Sequence, residues 1–179
     1  MENPLWGTRQ RAIYLQVSVA MSALEFSLDH GHQTLRIEQG VLDHFQRYRQ
    51  LSNSDSEAGG LLFAKISGTV ISVEKATGPS FFDQRSRFSF FPNSLYAQCA
   101  IKKSFQEGLH YVGEWHTHPE NFPRPSPRDI RSFRSVFQKS SHNLAGFLFV
   151  ISGIEGLFVA IQDKNGLHQL TLSNALECG

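Results

Sequence analysis

His116 and His118 flank a single threonine in GEWHTHPENFPRPSPRD, residues 113–129. Side chains two apart on a strand share a face, so the two imidazoles converge on one point while Thr117 turns away. Two imidazoles are half of a zinc site. Downstream, Ser126, Pro127 and Asp129 carry the spacing of a helix start. Ser126 is the N-cap, Pro127 takes N1, and Asp129 at N3 makes a carboxylate variant of the capping box. The helix dipole keeps a carboxylate there ionised, which is the state a third metal ligand needs. His116, His118 and Asp129 then supply three protein ligands, one fewer than a closed structural site. The open position would hold a water whose pKa falls from about 15.7 to about 7. That is the pattern of a hydrolase. A general base must stand beside such a water, and Glu57, Glu114 and Glu120 compete for the role. Glu114 shares the strand face of both histidines, so it could be the base or could orient an imidazole. Glu57 enters from a separate strand beside Gly59 and Gly60, where absent side chains would let a substrate backbone approach. The residues alone do not rank the three.

The elements that position these groups follow from periodicity. Residues 12–20 read as an edge strand, and residues 24–28 and 33–38 as two short strands around the turn DHGH. Val41, Leu42, Phe45 and Tyr48 recur at helical spacing. Residues 56–79 form two apolar runs joined by Ser-Gly-Thr, a hairpin signal with Glu57 near its entry. Residues 80–92 hold five phenylalanines and two arginines without a clean period, and are expected to be a partly exposed loop with a short strand. A second helix is capped by Asn93 or Ser94, carries Leu95 and Cys99 at helical steps, and is stopped by Gly108. Residues 109–116 are a strand running into the histidines. A third helix starts at Ser126 with Ile130, Phe133 and Phe137 on one face. Three closing apolar runs are strands, the last two separated by Lys-Asn-Gly in a tight turn. This irregular mixture of strands and helices predicts an α+β (mixed α/β) domain.

Composition bounds the partners. A chain of 179 residues at 40% apolar buries one core and leaves little room for a second. A net charge of +1 gives no basic field for nucleic acid. Cys99 and Cys178 are too few and too far apart for a disulfide framework or a zinc ribbon, which fits a reducing compartment. Arg9 and Arg11 ahead of residues 12–23 faintly copy a leader, but Gln16 and Ser18 break the apolar run and suit a strand better. No stretch reaches the roughly 18 consecutive apolar residues of a membrane span, so a cytoplasmic protein without a membrane partner is expected.

His116-Thr117-His118, seven residues, Ser126, two residues and Asp129, preceded by Glu57 in E-A-G-G, resemble the JAMM motif E…H-[ST]-H-x7-S-x2-D of the MPN+ (JAB) zinc metalloproteases. The spacing matches without a gap, and the resemblance covers roughly residues 35–162. It implies a single MPN/JAB domain over residues 21–179, cytidine-deaminase-like, with a central mostly antiparallel sheet flanked by about three helices. Residues 1–20 would be an N-terminal extension or edge strand. It also implies one catalytic Zn2+ held by His116, His118 and Asp129, with Glu57 as general base and proton shuttle and Ser126 stabilising the oxyanion. The family cleaves isopeptide or peptide bonds after the C-terminal glycine of ubiquitin or ubiquitin-like proteins. The compact chain resembles the prokaryotic branch, and within it the deconjugating peptidases of bacterial antiphage operons, including the CBASS type. The expected partner is a ubiquitin-like modifier or a protein conjugated to one. Alternatives are a JAB peptidase acting on a sulfur-carrier adduct or a phage tail protein, and a non-catalytic MPN binding scaffold, which should lack a motif residue. A two-metal phosphoesterase would need further His and Asp ligands that cannot be placed.

The modifier's tail must be extended to reach the site, and adding it as a strand to a sheet edge pairs its backbone. The strand after Glu57 is one such edge. Phe81, Phe82 and Phe88 could anchor the modifier, with Arg85 or Arg87 at the rim, against the plainer expectation that the phenylalanines are core. His30, His32, His44, His110, His142 and His168 lack partners at ligand spacing. Trp115 is read as packing, Cys99 as a buried helix residue, and Cys178-Gly179 as a terminal tail.

Overall fold

The computed structural model describes residues 23–28, 32–52, 54–140, 142 and 144–173. The expectations for residues 1–20, the DHGH turn, His30 and Cys178 lie outside the described residues. The sheet has eight strands: β1 (Ala23–Leu28), β2 (Gln33–Glu38), β3 (Gly59–Ser67), β4 (Val70–Ala76), β7 (His110–Thr117), β8 (Gly146–Ser152), β9 (Leu157–Asp163) and β10 (Leu167–Gln169). Their spatial order is β1-β2-β4-β3-β7-β8-β9-β10. The β2–β4 and β7–β8 pairs are parallel and the rest antiparallel. A separate hairpin joins β5 (Gln84–Ser86) to β6 (Ser89–Phe91). The helices are α1 (Gln39–Arg47), α2 (Ser94–Gln106) and α3 (Pro127–Lys139).

Alternation in the outer strands and continuous apolar runs in the inner ones decide which faces are covered. β1 turns Leu24 and Phe26 inward, and β2 turns Leu35 and Ile37 the same way, against Val41, Leu42 and Phe45 of α1. β8 is buried on both sides: Leu148 and Val150 join the α1 core, while Phe147, Phe149 and Ile151 pack with Phe133 of α3. The sheet curls far enough that Phe26 in β1 bridges to Leu172 beyond β10, and the Ser173 N–H donates to the Glu25 carbonyl.

β7 carries a bulge. Leu62 pairs with Gly113 and Phe63 with Tyr111, so Val112 is the extra residue. Val112 and Trp115 then face the α1 core, and Tyr111 packs into the α3 core. Gly113 has φ 156°, and a Cβ there would fall on the Leu148 carbonyl, so no other residue fits.

Four expectations are corrected. The strand after Glu57 is no sheet edge, because β3 lies between β4 and β7. Residues 84–91 form a two-stranded hairpin rather than a loop with one strand. Cys99 is exposed, because α2 buries only Ser104 fully and turns Leu95, Tyr96 and Phe105 outward. The space over Gly59 is taken by the Phe90 ring and that beside Gly60 by Thr77, so these glycines admit the protein's own chain rather than a substrate.

Candidate metal centre

The end of β7 delivers His116 and His118 to the face that α3 covers. His118 is one residue beyond the strand and is held by its N–H donating to the Ser152 carbonyl at 3.0 Å. Asp129 arrives from the first turn of α3. The capping box is complete: the Ser126 hydroxyl accepts the Asp129 N–H at 3.2 Å, and the Ser126 N–H donates to Asp129 Oδ2 at 2.7 Å. Pro127 holds N1, as its fixed φ favours.

His116 Nε2 and His118 Nε2 are 3.2 Å apart, and Asp129 offers Oδ1 at 3.6 Å from the first and Oδ2 at 3.5 Å from the second. One donor atom from each of the three residues lies within 4.8 Å of the other two, close enough to share a single ion. Among the described residues this is the group of His, Cys, Asp and Glu side chains that could hold a metal ion. Electrostatics favour the ligand forms of His116 and Asp129, while the carboxylates around His118 favour its protonated form. Burial pushes the His116 imidazole down to about 4, keeping a nitrogen lone pair free. Burial also acts on His118, but the Asp129 carboxylate and the charges of Glu57 and Glu120 outweigh it and raise that imidazole. Burial disfavours an ionised Asp129, yet the two imidazoles and the Ser126 donors outweigh it and hold the carboxyl below the usual range.

The three glutamates are separated by their surroundings. Glu57 Oε1 is 4.0 Å from His118 Nε2, at the rim of the donor cluster. Burial raises its carboxyl to about 7, with Asp129 adding to the shift and His118 and Arg128 opposing it. Glu114 faces the cleft between the β5–β6 hairpin and α3, where one oxygen accepts the Tyr111 hydroxyl at 3.2 Å. Burial lifts it to about 7 against that hydrogen bond. Tyr111 is three residues away rather than two because of the bulge, so spacing did not reveal it. Glu120 is committed to its own loop, accepting the Arg124 N–H at 3.2 Å.

The backbone of Glu57 is held by the hairpin. Its N–H donates to the Ser86 carbonyl at 2.8 Å, while Arg85 Nε donates to the Glu57 carbonyl at 2.6 Å and Nη2 to that of Ser56 at 3.2 Å. Sequence offers Arg85 or Arg87 as a rim residue; the contact Arg85 makes crosses 28 positions of chain that no local pattern spans. Phe81, Phe82 and Phe88 are 97%, 70% and 66% exposed, so they are not core. Trp115 is packing, as read: it is buried against Phe45 and donates its indole N–H to the Thr77 carbonyl at 2.8 Å. None of the described helices is long and apolar enough to cross a membrane.

Comparison with known proteins fits this arrangement. Residues 39–164 match the family model for prokaryotic homologs of the JAB domain. A Pseudomonas aeruginosa protein named CD-NTase/cGAS isopeptidase is 33% identical over 144 residues, covering 79% of this chain and 90% of that one. An Escherichia coli protein of the same name is 31% identical over 153 residues, covering 84% and 95%. A solution structure from Desulfitobacterium hafniense, at 21% identity and a TM-score of 0.55, covers 74% of this chain and 87% of its own and shares the fold. With the family model spanning both the strand of the two histidines and the helix of Asp129, the chain belongs to the prokaryotic JAB-domain family.

Proposed function

We propose that the protein is a zinc-dependent isopeptidase that opens the bond between a C-terminal glycine and a lysine amine in a conjugate containing a CD-NTase/cGAS-like protein, as part of an antiphage system. The observation that carries this reading is the donor triangle of His116, His118 and Asp129 with Glu57 at its rim. The relatives named CD-NTase/cGAS isopeptidase support the choice of conjugate. A domain over residues 21–179 with an N-terminal extension over 1–20 is part of the same proposal.

Zinc held by the three donors would supply Lewis acidity to polarise the scissile carbonyl. Glu57, with an affinity for protons matched to neutral pH, removes a proton from the attacking water and passes it to the departing amine as the C–N bond breaks. The Ser126 hydroxyl already accepts from the Asp129 N–H, so its own hydrogen is free to donate to the developing oxyanion. The exposed Phe81, Phe82 and Phe88 grip the body of the conjugated protein, Phe88 from the lining of the cleft itself.

The test uses purified zinc-loaded protein, a CD-NTase-containing conjugate, and arms with chelator and with Glu57→Gln. Release of the two parts with the glycine carboxylate intact, seen only in the untreated wild type, is the expected result. A zinc-loaded wild type that leaves every such conjugate whole would refute the reading.

A further inference from the structure

Thr117 points away from the two histidines and is fully buried. Its hydroxyl accepts the Ala58 N–H at 2.9 Å and donates to Gln50 Oε1 at 2.9 Å. Gln50 is 1% exposed, and its amide nitrogen donates to two carbonyls, Asp55 at 3.0 Å and Arg87 at 3.3 Å. Because carbonyls only accept, the amide has one possible orientation, with nitrogen toward Asp55 and Arg87 and oxygen toward Thr117.

The groups joined by this one carboxamide belong to three segments that meet at the donor cluster. Residues 55–58 carry Glu57. The end of β7 carries His116 and leads into His118. Arg87 lies in the turn of the β5–β6 hairpin, whose Ser86 and Arg85 hold the Glu57 backbone from its other side. The links span 59 and 67 positions of chain between Thr117 and its partners, so no local preference could set this register. Within a low-dielectric interior such a network fixes geometry more firmly than apolar contacts do. A displacement of about 1 Å in a reacting group is enough to cost about 10²-fold in rate.

We infer that Gln50 is a positioning residue: through Thr117, Asp55 and Arg87 its carboxamide sets where Glu57 stands relative to the imidazole pair. This rests on the reading of Glu57 as the proton-transferring residue. It differs from an ordinary core role in acting on turnover through Glu57.

The test compares full-length zinc-loaded Gln50→Met, which keeps the side chain's length, with Thr117→Val and Thr117→Ser. Gln50→Met and Thr117→Val should lower kcat by about 10- to 100-fold, the usual range for residues that orient a metal site's groups. KM and zinc stoichiometry should stay at the wild-type values, and Thr117→Ser, which retains the hydroxyl, should restore kcat. In a Glu57→Gln background Gln50→Met should cost nothing more, because residues acting as a unit are not additive. Hydrogen exchange of Gln50→Met, or of Thr117→Val if the first does not fold, should show protection lost at Glu57 and Ala58 but kept in β8 and β9. Losses that multiply with Glu57→Gln, a kcat that follows only the folded fraction, or unchanged protection at Glu57 and Ala58 would each overturn the inference. Should the wild type itself cleave nothing, the isopeptidase reading fails, and the exchange measurement alone decides the role of Gln50.

Discussion

Replacing Asp129 with asparagine keeps the side chain's shape and removes its charge, and the structure lets the two consequences be separated. Oδ2 accepts the Ser126 N–H at 2.7 Å and lies 3.5 Å from His118, while Oδ1 lies 3.6 Å from His116. Asparagine's amide oxygen can still accept from Ser126, so the helix start loses only the charge–dipole part, about 0.3–1 kcal/mol. The metal part is larger. A ligand that binds only the folded state adds about 2.7 kcal/mol when free metal is at 100 times Kd. For a domain of this size about 2–4 °C of melting temperature accompanies each kcal/mol. Zinc should therefore raise the wild-type melting temperature by about 5–11 °C. Asp129→Asn without metal should melt about 1–4 °C below wild type and should not respond to zinc. Thermal melts followed by circular dichroism, with bound metal counted by mass spectrometry, read both numbers. A variant that retains the full zinc-dependent rise would refute Asp129 as a ligand, whatever its activity.

Three further outcomes are expected. Glu57→Gln should lose about 10² to 10⁴ in turnover while binding zinc normally; a retained rate would transfer the proton-moving role to Glu114. Ser126→Ala should lose about 1 kcal/mol of stability with its cap and about 10² to 10³ in kcat, and equal turnover by the folded fraction would leave it a cap alone. Replacing Phe81, Phe82 and Phe88 together by serine should raise KM at unchanged kcat with little effect on the melting temperature; a lowered kcat with unchanged KM would contradict a gripping role.

Much of the site was legible because its chemistry is tied to local spacing. His116 and His118 are two apart on a strand, and Ser126 and Asp129 are three apart at a helix start, so period and cap rules already brought the donors within reach of each other. What stayed illegible is the part set by distant pairing. β3 reads as any buried strand, and only the flanking β4 and β7 show that it has no free edge. The bulge at Val112 changes which face Tyr111 occupies, a step that strict alternation misses. In α2 the apolar residues at helical steps led to a buried face for Cys99, yet the helix lies on the surface with Leu95 76% exposed. The hairpin over residues 84–91 was hidden because it is tied down by the Arg85 side chain and the Ser86 carbonyl bonding to residues 56 and 57 rather than by periodicity.

The curl of the sheet has a bearing on how the edge strand β1 is covered. An open sheet of eight strands would expose the backbone of β1, a template for pairing with another chain. Here Leu172 and Ser173 close over β1, bonding at Phe26 and Glu25, and the Ser173 hydroxyl meets that of Ser27 at 3.1 Å. A few residues after the last strand thus serve as a latch over the first. Shortening the chain to end before Leu170 should leave the His116–His118–Asp129 cluster untouched but uncover that edge, and light scattering during refolding should register the change as aggregation.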